Sequence, residues 1–327
     1  MNEVIEIGSA SAKPGEIAEG NILVGNLGGG SEINIPITII NGINPGPCFW
    51  INGGIHGDEP EGILTCSIIK KEISPDKLSG SLILIPVMNV PAMEAAQRGN
   101  PLDTFSHDMN RIYPGREDGY LSERIAHAHK ELMIKYADME ISIHSGGSHS
   151  YLAEAMFSAK DEKTQELARA MGEDWCVSLY SNVTSKSPMA IMSELGKPAL
   201  TVELGGRSST APGSFLNVGK KLFKACKNIM CHYKMIEGEA HYPKVRHKGY
   251  QQALLAPKSG VFLPNPKIKF LTMMKKNDHI ATIIDYQGNK LCDLSAPEDG
   301  MIFGLRALPN VTVGDWCTFF AIIEGQW

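Results

Sequence analysis

The sequence predicts an α/β fold, a mixed sheet flanked by helices and followed by a small all-β, barrel-sandwich-like unit. Three observations predict it. Short apolar runs are bounded by Gly, Pro or Asn; the stretches between them carry apolar residues at three- and four-residue spacing; and after about residue 244 the texture changes to short strands and turns. A chain of 327 residues suffices for two domains at about 150 residues each. We read them as 1–243 and 244–327.

The strand candidates, in order, are Ile33–Ile40, Cys48–Ile51, Ser81–Val87, Met139–Ile143 and Ala199–Val202. Most are continuous rather than alternating, as strands buried on both faces are. The helix candidates are Pro60–Glu72, Leu121–Tyr136, Glu162–Met171 and Gly213–Tyr233. The glycines of Gly25-Asn26-Leu27-Gly28-Gly29-Gly30 precede neither Lys-Ser/Thr nor a helix, so they mark a turn between strands and not a phosphate loop. In the C-terminal region Ala256-Pro257-Lys258-Ser259-Gly260 returns as Ala296-Pro297-Glu298-Asp299-Gly300, each copy followed later by a polar turn, Lys276-Asn277-Asp278 or Val313-Gly314-Asp315. Two similar β-units folded against each other account for that repeat.

Composition narrows the function classes. The net charge of −5 supplies no basic surface for a nucleic-acid backbone. With 43% hydrophobic and 20% charged residues the chain is not of the disordered class. The start, Met1 to Glu6, has neither the basic nor the apolar part of a secretory leader, and no apolar run reaches the ~18–20 residues of a membrane span. A cytoplasmic location is therefore expected, with no membrane or nucleic-acid partner. Seven scattered cysteines without a C-x-x-C pair fit a reducing compartment and argue against a cysteine zinc site.

Three strand ends carry the chemistry. Cys48–Ile51 runs through Asn52 into Gly53-Gly54 and then presents His56 and Glu59, three residues apart, at the mouth of a helix. Met139–Ile143 stops at His144, before Ser145-Gly146-Gly147, and Ala199–Val202 stops at Glu203, before Leu204-Gly205-Gly206. Alone, H-x-x-E usually marks a surface helix turn, and a single polar residue at a strand end is ordinary. Together they matter, because the carboxyl ends of strands in an open α/β sheet converge on one crevice. Two histidines and a carboxylate (His56, Glu59, His144) make a catalytic zinc set with a place for water, and Glu203 is then the general base acting on that water. Between these strands lie Arg98 and Asp108-Met109-Asn110-Arg111. A guanidinium beside an amide suits a carboxylate clamp, which assigns Asn110 and Arg111 to substrate binding. Arg98 is placed to face the oxyanion of the attacked carbonyl, and Asp108 to orient a ligating imidazole.

These residues resemble the succinylglutamate desuccinylase/aspartoacylase family of zinc carboxypeptidase-like hydrolases. The matching pieces are G-I-H-G-D-E (54–59), D-M-N-R (108–111), H-S-G-G (144–147) and V-E-L-G-G (202–206), in family order, with a similar β-rich tail. Within the family the chain looks most like the branch of N-acetyl-diaminobutyrate deacetylase. The resemblance implies one Zn2+ per chain held by His56, Glu59 and His144, catalysis by Glu203, carboxylate binding by Asn110 and Arg111, and carbonyl polarisation by Arg98. It further implies a zinc hydrolase domain over 1–243, a small N-acyl amino acid as substrate, and an even-numbered homo-oligomer. Two departures stand out: Ser142 occupies the position where the family often has Asp, two residues before the third ligand, and the Arg98–Arg111 spacing is longer than in aspartoacylase.

The expected function is thus a zinc-dependent amidohydrolase releasing the acyl group of a small N-acyl amino acid. A carboxypeptidase acting on a small peptide is the nearest enzymatic alternative, because a C-terminal residue is also an amine bearing a carboxylate. A non-catalytic ligand-binding pseudoenzyme is the alternative from another class; Glu203 argues against it, since binding needs no proton shuttle. Lys290, after the turn Gly288-Asn289, lacks the flanking residues of a biotinyl or lipoyl attachment site and reads as a solvated hairpin lysine.

Overall fold

The computed structural model describes residues 3–105, 108–180, 186–207 and 213–326. Two short strands, β1 (Ile5–Ile7) and β2 (Ala10–Ala12), pair antiparallel. Then β3 (Glu16–Asn26) and β4 (Glu32–Asn41) form a long antiparallel ribbon whose connection is the glycine-rich turn predicted from sequence. Next come β5 (Asn44–Gly53), α1 (Glu61–Glu72), β6 (Ser79–Ile85), α2 (Val90–Glu94), α3 (Leu121–Tyr136) and β7 (Met139–His144). They are followed by β8 (Ser150–Ser158), α4 (Glu162–Ala170), β9 (Val177–Tyr180), α5 (Pro188–Glu194), β10 (Ala199–Gly206) and α6 (Ser214–His232). The remainder is strand: β11 (His247–Leu255), β12 (Gly260–Pro264), β13 (Met273–Met274), β14 (His279–Ile284), β15 (Lys290–Ser295), β16 (Gly300–Arg306), β17 (Asn310–Val311) and β18 (Trp316–Gln326).

Twelve of these strands form one mixed sheet in the order β13-β16-β18-β11-β9-β8-β10-β7-β5-β6-β4-β3. Its centre, β10-β7-β5-β6, is parallel. Successive residues of a strand point to opposite faces, and both faces of this sheet are covered. Phe49 and Ile51 of β5 join a core with α1, α4 and α6, whereas Cys48 and Trp50 join a second core with α3 and α5. That is why the central strands read as continuous apolar runs.

The C-terminal strands divide between two sheets. Strand β11 pairs with β9 and β16 with β8, so they continue the large sheet, while β15-β14-β12-β17 form a separate one. Phe262, Ile280 and Ile283 of the small sheet share a core with Ile302 and Phe320 of the large one. The two sequence repeats are joined reciprocally. Ala256 N–H donates to Asp315 O (2.8 Å) and its carbonyl accepts from Gly314 N–H (2.9 Å); Ala296 makes the same pair with Asp278 and Asn277, both at 2.9 Å. Each copy's Ala-Pro turn is therefore held by the polar turn of the other copy. Among the described residues no helix is long and apolar enough to cross a membrane.

Behind the central strands, Trp50 Nε1–H donates to His129 Nε2 (3.0 Å), and His129 Nδ1 lies 2.6 Å from Tyr113 Oη. An indole only donates, so the ring is neutral with its hydrogen on Nδ1. Burial pushes the pKa of His129 down to about 3. The unfolded chain takes up this proton near its ordinary value of ~6.5, which the folded chain refuses until far lower pH, so acidification through that window destabilises the fold. The slope from this group reaches about 1.4 kcal/mol per pH unit. His129→Gln is expected to flatten the pH dependence of unfolding free energy between pH 6 and 4; parallel curves for the two proteins would refute the assignment.

Candidate metal centre and cleft

The parallel register brings the predicted residues to one level. Glu203 of β10 stands directly beside His144 of β7, and Ile143 beside Gly53, the last residue of β5. Beyond β5 the chain turns at Gly54, whose φ of +61° suits glycine, and His56 and Glu59 follow in a turn closed by Glu59 N–H donating to His56 O (3.3 Å). Strand β10 does not stop at Glu203 as the sequence suggested but continues to Gly206. Gly205 explains the difference: its φ of +99° accompanies a register shift between Glu203 and Gly205, and a Cβ there would lie 2.7 Å from Glu61 Oε1.

His56, Glu59 and His144 are buried and offer one ligand atom each, all within 4.8 Å of one another. Glu59 Oε1 lies 2.9 Å from His56 Nδ1, Glu59 Oε2 lies 2.9 Å from His144 Nδ1, and the two Nδ1 atoms are 3.2 Å apart. The outer ring nitrogens settle where the hydrogens are. His56 Nε2 faces the carboxylate of Asp108 (Oδ1, 2.9 Å), which only accepts when ionised. Ser142 gives its hydroxyl proton to Asn52 Oδ1 (2.9 Å), so its oxygen accepts from His144 Nε2–H (3.3 Å). In neutral rings both Nδ1 lone pairs then aim at each other and at a carboxylate. Such an electron-rich trio calls for a cation between its atoms, and two imidazoles with one carboxylate suit zinc.

The titration directions agree. Burial alone would lower the pKa of His56, but the charge of Glu59 and the hydrogen bond to Asp108 outweigh it and raise it. Burial is the leading cause of the lowered pKa of His144. Glu59 is held well below the usual carboxylate range despite its burial, by the two imidazoles, and Asp108 likewise by His56 and Arg98. Glu203 moves the other way, raised by burial first and by the Glu59 charge second. Its Oε2 is occluded and has no hydrogen-bond partner among the described residues.

Arg98 reaches into the same cluster, with Nη1 3.2 Å from Glu59 Oε1 and Nη2 3.0 Å from Asp108 Oδ2. Asp108 also caps the turn Met109–Arg111 by accepting from Asn110 N–H (2.9 Å). Asn110 and Arg111 line a cleft of about 630 Å³ that also contains the trio, Glu203, Arg98 and Asp108. All eight residues singled out in the sequence thus share one cavity.

Sequence reasoning missed the opposite wall. Phe157, Phe303, Phe319 and Trp316 line the cleft as successive ring contacts, with centroids 6.4, 6.0 and 4.9 Å apart. Gln251 and Arg306 of the C-terminal strands line it too, as does His149. No local motif marks these residues, because they arrive from β8, β11, β16 and β18. Asn52 and Glu140, behind His144, were missed as well. A signal for them existed: Glu140, Ser142 and His144 alternate along one strand face, and Asn52 is the register partner of Ser142.

Fold and site together define an α/β protein with a candidate metal centre in a cleft at the carboxyl edge of a parallel sheet core. The chain belongs to the succinylglutamate desuccinylase/aspartoacylase family, whose catalytic-domain model matches residues 45–228. An N-alpha-acetyl-L-2,4-diaminobutyric acid deacetylase from Halomonas elongata is 27% identical over 217 residues, 64% of this chain and 61% of that protein's length. Among solved structures, a succinylglutamate desuccinylase from a Silicibacter species superposes with a TM-score of 0.83 at 22% identity, covering 99% of both chains. The product-bound ectoine utilization protein EutE from Ruegeria pomeroyi superposes with a TM-score of 0.81 at 21% identity, covering 98% of this chain and 99% of its own. At these identities the structural likenesses speak for the fold.

Proposed function

We propose that the protein is a zinc-dependent amidohydrolase that removes the acyl group from a small N-acyl amino acid. The observation that carries this reading is the buried trio His56, Glu59 and His144, with one ligand atom from each within 4.8 Å of the others, lining one cleft with Glu203, whose Oε2 has no hydrogen-bond partner among the described residues. The family membership and the activity named for the Halomonas elongata relative support the same reaction class.

His56, Glu59 and His144 would hold the zinc ion, which would supply Lewis-acid polarisation of the amide carbonyl and acidification of water. Glu203 takes the proton of the attacking water and returns it to the departing amine; its raised pKa suits the second of these tasks, and a cation beside it favours the ionised form needed for the first. Asp108 and Ser142 accept from the outer nitrogens of the two imidazoles and hold their inner lone pairs on the cleft side. Arg98 stays charged against Glu59 and Asp108 and adds positive potential where the oxyanion develops. Arg111, exposed at the cleft with Asn110 beside it, takes the substrate carboxylate.

Release of free amine from N-acetyl and N-succinyl amino acids and small peptides, run on zinc-loaded and chelator-treated protein, tests the proposal. Amine release that disappears on chelation and returns with zinc is expected; turnover indifferent to chelation would overturn it, and turnover confined to peptides would shift it to the carboxypeptidase reaction. Arg111→Ala is expected to raise KM about 10- to 100-fold for carboxylate-bearing substrates, the size of a lost charge-assisted hydrogen bond. Substrates with an amidated carboxyl should be little affected, and equal damage to both would remove Arg111 from recognition.

A further inference from the structure

Behind His144, on the sheet face that meets α3, lies a file of fully buried polar side chains. Glu140 and Ser142 precede His144 at two-residue steps on β7, and Asn52 stands beside Ser142 on β5. A carboxyl group with no solvent exposure inside a sheet is costly unless its hydrogen bonds compensate. One does: Asn52 Nδ2–H donates to Glu140 Oε1 at 2.7 Å. The other oxygen, Oε2, has no partner among the described residues. Nothing in the chemistry derived above uses this group.

The hydrogen bonds in the file all run one way. Asn52 Nδ2 faces two acceptors, Glu140 Oε1 and Ile141 O (3.5 Å), which fixes the amide with Oδ1 toward Ser142. Ser142 has one proton and gives it to Asn52 Oδ1 (2.9 Å). Its oxygen can then only accept from His144, which puts the ring hydrogen on Nε2 and leaves the lone pair on Nδ1, 2.9 Å from Glu59 and 3.2 Å from His56. Reversing any one link reverses those after it and turns a hydrogen toward the trio.

We propose that Glu140, acting through Asn52 and Ser142, is the positioning residue that sets the metal-binding tautomer of His144. The inference rests on the metal reading of the trio. The Glu140 carboxyl group sits one pleat behind Ser142 and reaches the imidazole through two intermediaries, Asn52 and Ser142. The function of Glu140 needs an acceptor oxygen and not a charge. Burial pushes its pKa up to about 8, so at neutral pH it is mostly the uncharged acid, whose carbonyl oxygen still accepts from Asn52.

That distinction gives the test. Zinc dissociation constants are measured by competition with a chromophoric chelator for the wild type and for Glu140→Gln, Glu140→Leu and Ser142→Ala, with Tm recorded alongside. Glu140→Gln keeps an acceptor and should bind zinc within about threefold of wild type. Glu140→Leu removes the acceptor and Ser142→Ala the link itself; each should weaken zinc binding about 10- to 100-fold, the usual effect of losing a hydrogen-bonded support of a metal ligand. A merely structural role for Glu140 would lower Tm and leave zinc affinity unchanged, and that outcome overturns the proposal. Wild-type affinity in Ser142→Ala overturns it too, which keeps the test decisive if Glu140→Leu does not fold. Equal losses in the Gln and Leu variants would likewise refute the acceptor role. Failure of the wild type to bind zinc would be a different result, striking the metal reading itself.

Discussion

Glu203→Gln should reduce kcat by 10²- to 10⁴-fold, the range for removing a general acid–base group, while zinc stays bound. Gln matches Glu in volume and keeps an oxygen, so β10 and its pairing with His144 are preserved. What disappears is the capacity to take a proton from water and return it to nitrogen. Glu203 contacts none of the trio by hydrogen bond among the described residues, so zinc content should equal that of the wild type. KM should change little, because substrate holding is assigned to Asn110 and Arg111. Initial rates with metal content measured on the same samples check this, and undiminished turnover at full zinc loading would remove Glu203 from the mechanism.

Glu59→Gln should produce the second large effect, through the metal and not the proton. Zinc binding of about 10–16 kcal/mol shared over four ligands amounts to roughly 3 kcal/mol each, or more than 100-fold in affinity per ligand. Glu59 is also the only negative member of the trio and the partner of Arg98 Nη1 and of Ser145 N–H (3.2 Å). With the charge gone, the guanidinium faces two imidazoles without compensation, which further disfavours a dication. The purified variant should carry little zinc and regain activity only at high added zinc. Zinc retention through dialysis against a chelator, equal to the wild type, would exclude Glu59 as a ligand.

The two variants separate because the turn after β5 and the strand β10 place their carboxylates differently. Glu59 sits between both imidazoles and is ionised through them, whereas Glu203 meets mainly burial and the charge of Glu59. The two carboxyl groups are thus pushed in opposite directions, Glu59 down and Glu203 up, as a ligand and a proton shuttle require.

Much of this was legible in the sequence. His144 and Glu203 end apolar runs, and His56 and Glu59 follow a strand that breaks at paired glycines; parallel strands put such ends at one level. Helix α3 has the bounds read from its spacing, because its apolar stripe and its loop-side limits are local signals. Strand β8 was not legible. Its segment Ser150–Ser158 is rich in Ala, Leu, Met and Glu, residues that favour helices, and it is a strand because β10, β9 and β16 pair with it. With β8 unseen, the aromatic wall carried by Phe157 and its neighbours from β16 and β18 was unseen as well.

By itself the sequence determined the strand ends that carry His56, Glu59, His144 and Glu203, the glycine turns that present them, and the family motifs in their order. These are short-range properties: apolar runs, period and the backbone freedom of glycine act over a few residues. Only the tertiary structure decided that the C-terminal strands continue the large sheet, that their rings line the same cleft as His56, Glu59 and His144, and that Glu140 connects to His144 through Asn52 and Ser142. Those depend on register and hydrogen-bond direction between segments up to ~160 residues apart, which no local pattern encodes because pairing partners are chosen by the whole fold.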